Sequence, residues 1–266
     1  MKRLLILSIS CYTEPMKKST VLDIKNLSVS VNDKPILYDV DLNICSGDVH
    51  AIMGPNGSGK SSLAHSLMGH PSYTITSGSI FLDAIDISTA PVHERAKSGL
   101  FLSFQHPSEI PGVSVASFLR EAYIATKGHI SVADFQQLLL QYCGKLLIDP
   151  AFVSRGLNDG FSGGEKKKLE LLQLLILQPK VAILDEIDSG LDIDALKVVA
   201  AGIALARKEN PAISIFLITH YQRILDYITP DYVHVLCDGR MVASGDAQVA
   251  LELEKRGYDG FKNINS

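Results

Sequence analysis

The segment Gly54-Pro55-Asn56-Gly57-Ser58-Gly59-Lys60-Ser61 constrains this chain more than any other. It fits the pattern G-x-x-x-x-G-K-[ST] at every fixed position. Its flanks fit as well: Val49-His50-Ala51-Ile52-Met53 reads as a short buried strand, and Ser62-Leu63-Ala64-His65-Ser66-Leu67-Met68 reads as the helix that follows. A phosphate cradle requires this strand–loop–helix order. Glycines let the backbone curl until successive N–H groups face phosphate oxygens, and the helix N-terminus adds a favourable dipole. Lys60 is placed to meet the β- and γ-phosphates, and Ser61 to offer its hydroxyl to Mg²⁺. A Gly-rich turn that binds nothing would account for the glycines but not for the ordered flanks. The motif alone leaves open which nucleotide is held and what its hydrolysis drives.

The remaining composition sets outer limits. With 266 residues the chain can form one large α/β domain, or a core with a sizeable insert. Its 46% hydrophobic and 20% charged content is that of a globular protein. A net charge of −4 gives no general attraction to nucleic acid or to an anionic membrane surface. No apolar run reaches the ~18–20 residues that would insert directly into a bilayer. Lys2-Arg3 ahead of Leu4-Leu5-Ile6-Leu7-Ser8-Ile9 faintly resembles a signal peptide, but the run is short and no small-x-small cleavage site follows. Met16-Lys17-Lys18-Ser19 offers a second start, so residues 1–15 are expected to be a tail outside the fold. The ordered domain is expected over residues 21–260, with 1–20 and 261–266 as tails. Cys11, Cys45, Cys143 and Cys237 show no C-x-x-C spacing, which removes zinc and dithiol motifs. Scattered cysteines beside a nucleotide motif point to a reducing, cytoplasmic compartment.

Periodicity outlines the architecture. Residues 21–31 and 36–44 alternate apolar and polar side chains around an Asn32–Pro35 turn, so an antiparallel β layer precedes the first α/β unit. Short strands are expected at 79–83 and 99–104. Residues 106–160 then change character: 115–126 and 132–147 have helical spacing and no convincing strand, as in a helical subdomain inserted at about 106–165. The α/β core resumes with a helix over 167–177, a near-continuous apolar strand over 181–185, a helix over 195–207 and a strand over 212–219. A hairpin is expected from 232–236 and 240–245 around Asp238-Gly239.

Two further sites carry chemistry. Asp185-Glu186 closes the 181–185 strand. An acid there can hold Mg²⁺ beside the phosphate loop, and the next carboxylate can orient or deprotonate a water aimed at a γ-phosphate. Ser162-Gly163-Gly164-Glu165 opens the helix of 167–177. Ser162 and Glu165 have capping-box spacing, and the two glycines would let a phosphate approach the backbone. One triphosphate already has its loop at 54–61, so a second nest makes sense if it serves a nucleotide held by another copy. Lys166-Lys167-Lys168 reads as a solvated helix start and not as a nucleic-acid site.

Taken in order, these motifs resemble those of the ATP-binding-cassette ATPases, over about residues 20–260. Gln105 matches that family's glutamine loop, Ser189-Gly190-Leu191-Asp192 its D-loop, and His220 its switch histidine. The resemblance implies an α/β P-loop ATPase core with ATP and Mg²⁺ bound. It implies nucleotide contacts from residues 54–61 and from Ser62, Gln105, Ser162, Gly163, Gly164, Glu165 and Asp192. Mg²⁺ contacts fall to Ser61, Gln105 and Asp185, and catalytic roles to Lys60, Glu186 and His220. It further implies a head-to-tail dimer in which each ATP lies between the 54–61 loop of one copy and the 162–165 motif of the other. The likeness narrows at Ile187-Asp188, Phe161-Ser162-Gly163-Gly164-Glu165-Lys166-Lys167, residues 103–113 and residues 219–228. These are similar to the ATPases of the SUF iron–sulfur cluster assembly system. That likeness implies SufB- and SufD-like scaffold partners docking near Gln105 and the helical insert. The alternative is the ATP-binding subunit of a membrane transporter. Where many cassettes place an aromatic against adenine, Ser30-Val31-Asn32 offers none.

Overall fold

The computed structural model describes residues 19–103, 107–219, 222–258 and 260. Strands β1 (Thr20–Val31) and β2 (Lys34–Cys45) form the expected hairpin. Asn32 and Asp33 both take positive φ at its tip, the backbone that a tight two-residue connection needs. The chain continues through β3 (Val49–Met53), α1 (Lys60–Met68), β4 (Tyr73–Leu82) and β5 (Ile85–Asp86). β4 is longer than the expected 79–83 because it ladders along β1 from Leu22↔Leu82 to Val31↔Tyr73. Helix α2 (Val92–Ser98) and strand β6 (Leu100–Ser103) follow.

The next block is helical, with one correction. α3 (Val115–Lys127) and α4 (Val132–Lys145) stand where the spacing put them, capped by Ser114 and Ser131. The expectation of no strand in 106–160 fails: β7 (Ile110–Ser114) pairs antiparallel with β8 (Gly156–Leu157) and closes the base of the block. β7 is almost wholly exposed, so it lacks the buried alternate residues by which a strand announces itself.

The core then resumes with α5 (Gly163–Leu177), β9 (Val181–Asp185), α6 (Ile193–Glu209), β10 (Ser214–Ile218), the β11 (Tyr232–Cys237) and β12 (Arg240–Gly245) hairpin, and α7 (Gln248–Arg256). Two main sheets result. One has the order β2-β1-β4-β5 and is antiparallel; the other has the order β12-β11-β3-β10-β9-β6. In the second, β11, β3, β10, β9 and β6 run parallel and β12 is an antiparallel edge.

β3, β9 and β10 are buried along their whole length, as a parallel sheet covered on both faces requires. Their side chains alternate between two cores. Val181 and Ile183 of β9 join Leu63, Ala64 and Leu67 of α1 and the inward residues of β1 and β2. Ala182 and Leu184 face α5 and α6. The C-terminal ends of β3, β9 and β10 therefore meet at one edge, where open parallel sheets place their ligands.

Candidate nucleotide-binding site

The loop that leaves β3 is built by close approach. A Cβ on Gly54 would lie 2.2 Å from the Leu236 carbonyl oxygen and 2.6 Å from Ser58 Oγ, so only glycine fits between β11 and the loop's own return. Gly57 and Gly59 have φ of 80° and 104°, the left-handed region that glycine adopts without steric cost. Asn56 and Gly57 are exposed at the tip. Ser58 N–H donates to Pro55 O (3.1 Å), and the Ser58 carbonyl accepts from Gly239 N–H (2.9 Å), which ties the loop to the β11–β12 turn. Lys60 is buried, and its Nζ donates to Gly54 O (2.8 Å) and Pro55 O (3.0 Å). The ammonium thus lies inside the curl of the loop. Burial pulls its pKa down, against the pull of Glu186 and Asp185.

Ser61 and Asp185 come together although they lie 124 residues apart: Ser61 Oγ donates to Asp185 Oδ1 at 3.2 Å. Burial pushes the Asp185 carboxyl up to about 6; the charge of Glu186 adds to this, while the Ser61 bond, Lys60 and Lys167 oppose it. A hydroxyl and a buried carboxylate at hydrogen-bond distance are hard oxygen donors, and the donor set fits Mg²⁺. Glu186 follows with φ of 48°, its N–H donating to Ile218 O at 2.9 Å. A non-glycine residue held in the left-handed region is strained, and such strain concentrates at functional positions.

The second motif sits on its helix as its spacing required. Ser162 caps α5 and forms a full capping box with Glu165. Glu165 also binds the Arg155 guanidinium; these bonds, the Ser162 N–H first, hold its carboxyl down to about 2. Helix α5 starts at Gly163, four residues before the apolar periodicity does. Gly163 and Gly164 are both helical, with no positive φ, and a Cβ on either would meet nothing within 4 Å. Glycine in a helix costs about 1 kcal/mol relative to alanine. Among the described residues nothing requires that cost. Asp192 caps α6, its Oδ1 accepting from Ala195 N–H at 2.7 Å. Ser62 lies in the first turn of α1 and its carbonyl accepts from Ser66 Oγ (2.6 Å). Gln105 and His220 lie outside the described residues.

Two contacts escaped the sequence. Thr219 Oγ1 donates to the buried Asp188 Oδ2 at 2.7 Å, which joins the D-loop segment to the end of β10. Ser103 Oγ donates to the buried Glu170 Oε2 at 2.8 Å. The partners lie 31 and 67 residues apart, so no local pattern could have shown the pairing.

The profile of the ABC transporter family matches residues 37–189, more than half the chain. This chain belongs to that family. A probable ATP-dependent transporter of Synechocystis sp. is 52% identical over 245 residues, spanning 90% of this chain and 95% of its own. Vegetative protein 296 of Bacillus subtilis is 53% identical over 247 residues, 92% and 94% of the two chains. Among solved structures, the dimeric post-hydrolysis state of the cassette MJ0796 bound to ADP and Pi superposes with a TM-score of 0.72 at 19% identity, over 85% of this chain and 98% of that one. The chain is an ABC-type ATPase, and the α/β cassette with its inserted helical block is the fold expected of one. Among the described residues no helix is long and apolar enough to cross a membrane.

Proposed function

We propose that this chain is a SufC-like ATPase that powers iron–sulfur cluster assembly on a SufB/SufD-type scaffold. The bond between Asp188 and Thr219 carries this reading. Ile187-Asp188 stands where transporter cassettes usually have Pro-Thr or a similar pair, and here both residues are used: Ile187 is 1% exposed in the core and Asp188 anchors Thr219. Thr219 opens the 219–228 segment, the other stretch that favours the SUF ATPases. The name of the Synechocystis relative favours the transporter reading, in which the same site would drive a membrane-spanning partner.

The chemistry is common to both readings. ATP phosphates occupy the 54–61 loop, and the Gly163–Gly164 backbone of a second copy closes on them. Ser61 and Asp185, with Gln105, would hold Mg²⁺, which when bound would supply positive charge against the phosphate oxygens. Glu186 orients the attacking water and accepts its proton. Lys60 and His220 stabilise the γ-phosphoryl as its bond to the bridging oxygen breaks. Charge-assisted bonds contribute on the order of 1.5–3 kcal/mol each, so losing several with the γ-phosphate loosens the dimer. A groove of about 280 Å³, lined among others by Phe101, Pro107, Ile110, Phe118 and Leu157, lies beside α3 and is the surface proposed to receive the scaffold.

The test is to recover the tagged chain from a detergent-free lysate of its source and identify what accompanies it. SufB- and SufD-like proteins are the expected result, with cluster assembly lost in Lys60→Ala. Recovery only in detergent, with a multispanning protein, would overturn the scaffold reading and leave the ATP site intact.

A further inference from the structure

Ser162, Gly163 and Gly164 are exposed at the start of α5, and the acid of that first turn, Glu165, bends back to them. Its Oε2 accepts from Ser162 N–H (2.8 Å) and from Ser162 Oγ (2.9 Å). Its Oε1 accepts from the Arg155 guanidinium. Arg155 is held in turn by two buried rings, Phe152 and Phe161, whose centres are 4.6 Å apart. Its guanidinium carbon lies 4.4 Å from the centre of Phe161 and 5.7 Å from that of Phe152, within the range of a cation–π contact. Its own carbonyl accepts from Val115 N–H at the head of α3 (3.0 Å). Phe161 directly precedes Ser162, so the residue that carries the ring also sets the helix start.

A helix N-terminus attracts anions, because its first N–H groups lack helical partners and its dipole is positive there. Glu165 already places a negative charge at that end, and a carboxyl held down to about 2 keeps the charge through the neutral range. Such a carboxylate stabilises the helix and repels a second anion. An exposed ion pair contributes little to stability; the effect of this one falls on the approaching anion. We infer that Arg155 is a positioning residue for the ATPase: it neutralises Glu165 and so lets the phosphates of a second copy's ATP reach the Gly163–Gly164 backbone. The inference rests on the proposed placement of that backbone against the second copy's nucleotide.

The experiment compares Arg155→Gln, Glu165→Gln, the double variant and Arg155→Lys. ATP-driven dimerisation is followed by sedimentation velocity in the Glu186→Gln background, and KM and kcat are measured with Glu186 intact. Arg155→Gln leaves the Glu165 charge uncompensated. It should raise both KM and the ATP needed for half-maximal dimerisation about five- to tenfold, the size of one such charge near partly solvated phosphates. The kcat should change little, because the repulsion acts on the bound and the reacting phosphates alike. The difference from the parent should shrink in about 0.5 M NaCl, where the Debye length falls to about 4 Å. The double variant also lacks the ion pair, so any loss of folding stability seen in thermal unfolding without nucleotide persists in it. It should nevertheless need no more ATP than the parent, and neither should Glu165→Gln alone. Arg155→Lys keeps the charge and should stay close to the parent. An unchanged ATP requirement in Arg155→Gln would overturn the inference. So would a double variant as impaired as Arg155→Gln, since the guanidinium would then meet the phosphates itself or only brace the fold. Gly164→Asp tests the placement separately: if it still dimerises at the parent's ATP concentration, the placement of the glycine backbone is wrong and the inference falls with it.

Discussion

Glu186 is held at φ 48° one residue past the end of β9, with its amide bonded to Ile218 O. That bond fixes the backbone of the residue proposed to accept the water's proton. Glu186→Gln keeps size and backbone while removing the proton acceptor. The expected outcome is ATP binding without turnover, seen as a long-lived dimer in gel filtration with Mg·ATP. A variant that still turns over rapidly would show that another group takes the proton. The buried His50–His234 pair makes a separate prediction. His50 Nδ1 and His234 Nε2 are 2.9 Å apart, His234 Nδ1 meets Ser244 Oγ at 2.9 Å, Tyr232 stacks on His50, and Asp48 lies 3.9 Å from His50 Nε2. Burial first, then the charge of His50, pushes His234 down to about 3. The native state therefore refuses a proton that the unfolded chain accepts below about 6.5. Stability from this group is complete above that pH and falls as the pH drops toward 3, by up to roughly 1.4 kcal/mol per unit. Urea melts of His234→Asn between pH 4 and 7 should show a shallower decline than the parent; equal slopes would assign the acid sensitivity elsewhere.

At the scale of elements, the packing of α5 on α6 turns on Gly202. A Cβ there would sit 2.6 Å from Leu171 Cδ1 and 2.8 Å from Cδ2, both within the core. Gly202→Val should destabilise by about 1–3 kcal/mol through overpacking. Leu171→Ala in the same chain opens that space, so the double variant should be more stable than the sum of the two single losses predicts. Simple additivity in denaturant melts would mean the helices separate instead of clashing. Elements with such apolar commitments were legible in the sequence: β3, β9 and β10 as buried runs, and the β11–β12 hairpin from Asp238-Gly239, whose φ values of 47° and 76° suit a tight turn. Helix α2 was not. It is fastened by the buried Arg95, whose guanidinium donates to the carbonyls of Ser66, Leu67, Ser88 and Ala90. Four carbonyls on a charged side chain leave no apolar stripe to read. Helix α7 buries only Ala250 and Leu253 among its side chains described. The site divides in the same way. Gly54–Ser61, Asp185-Glu186 and Ser162–Glu165 are local motifs that show themselves. Asp188–Thr219 and Ser103–Glu170 join residues 31 and 67 apart, and only the fold brings them together.

At the scale of the whole molecule, the proposed function divides the site between the 54–61 loop of one copy and the Gly163–Gly164 backbone of another. The 54–61 loop is shaped by contacts within the chain: Gly54 fits against Leu236, and Gly59 against Leu37. Among the described residues Gly163 and Gly164 answer to no such contact. In a two-fold head-to-tail dimer each loop meets the partner's glycines, and this makes a prediction that no monomeric site shares. Lys60→Ala disables the loop, and Gly164→Asp blocks the glycine backbone while its Cβ enters open space, so both chains should fold and both should be inactive alone. Mixed, they form heterodimers in which one site carries both lesions and the other carries neither. Random pairing makes half the dimers heterodimers with one working site of two, so the mixture should recover about a quarter of the parent ATPase activity. Recovery should follow the heterodimer fraction as the mixing ratio varies and vanish when either variant carries both substitutions. No recovery at any ratio, with heterodimers demonstrated by mass, would mean that each chain completes its own site or that a single intact site cannot fire alone. A second mixture separates these two cases. Parent chain mixed with the Lys60→Ala, Gly164→Asp double variant gives heterodimers with no intact site under the head-to-tail arrangement, so activity should fall below that of the diluted parent. If each chain completed its own site, activity would track the parent's share alone.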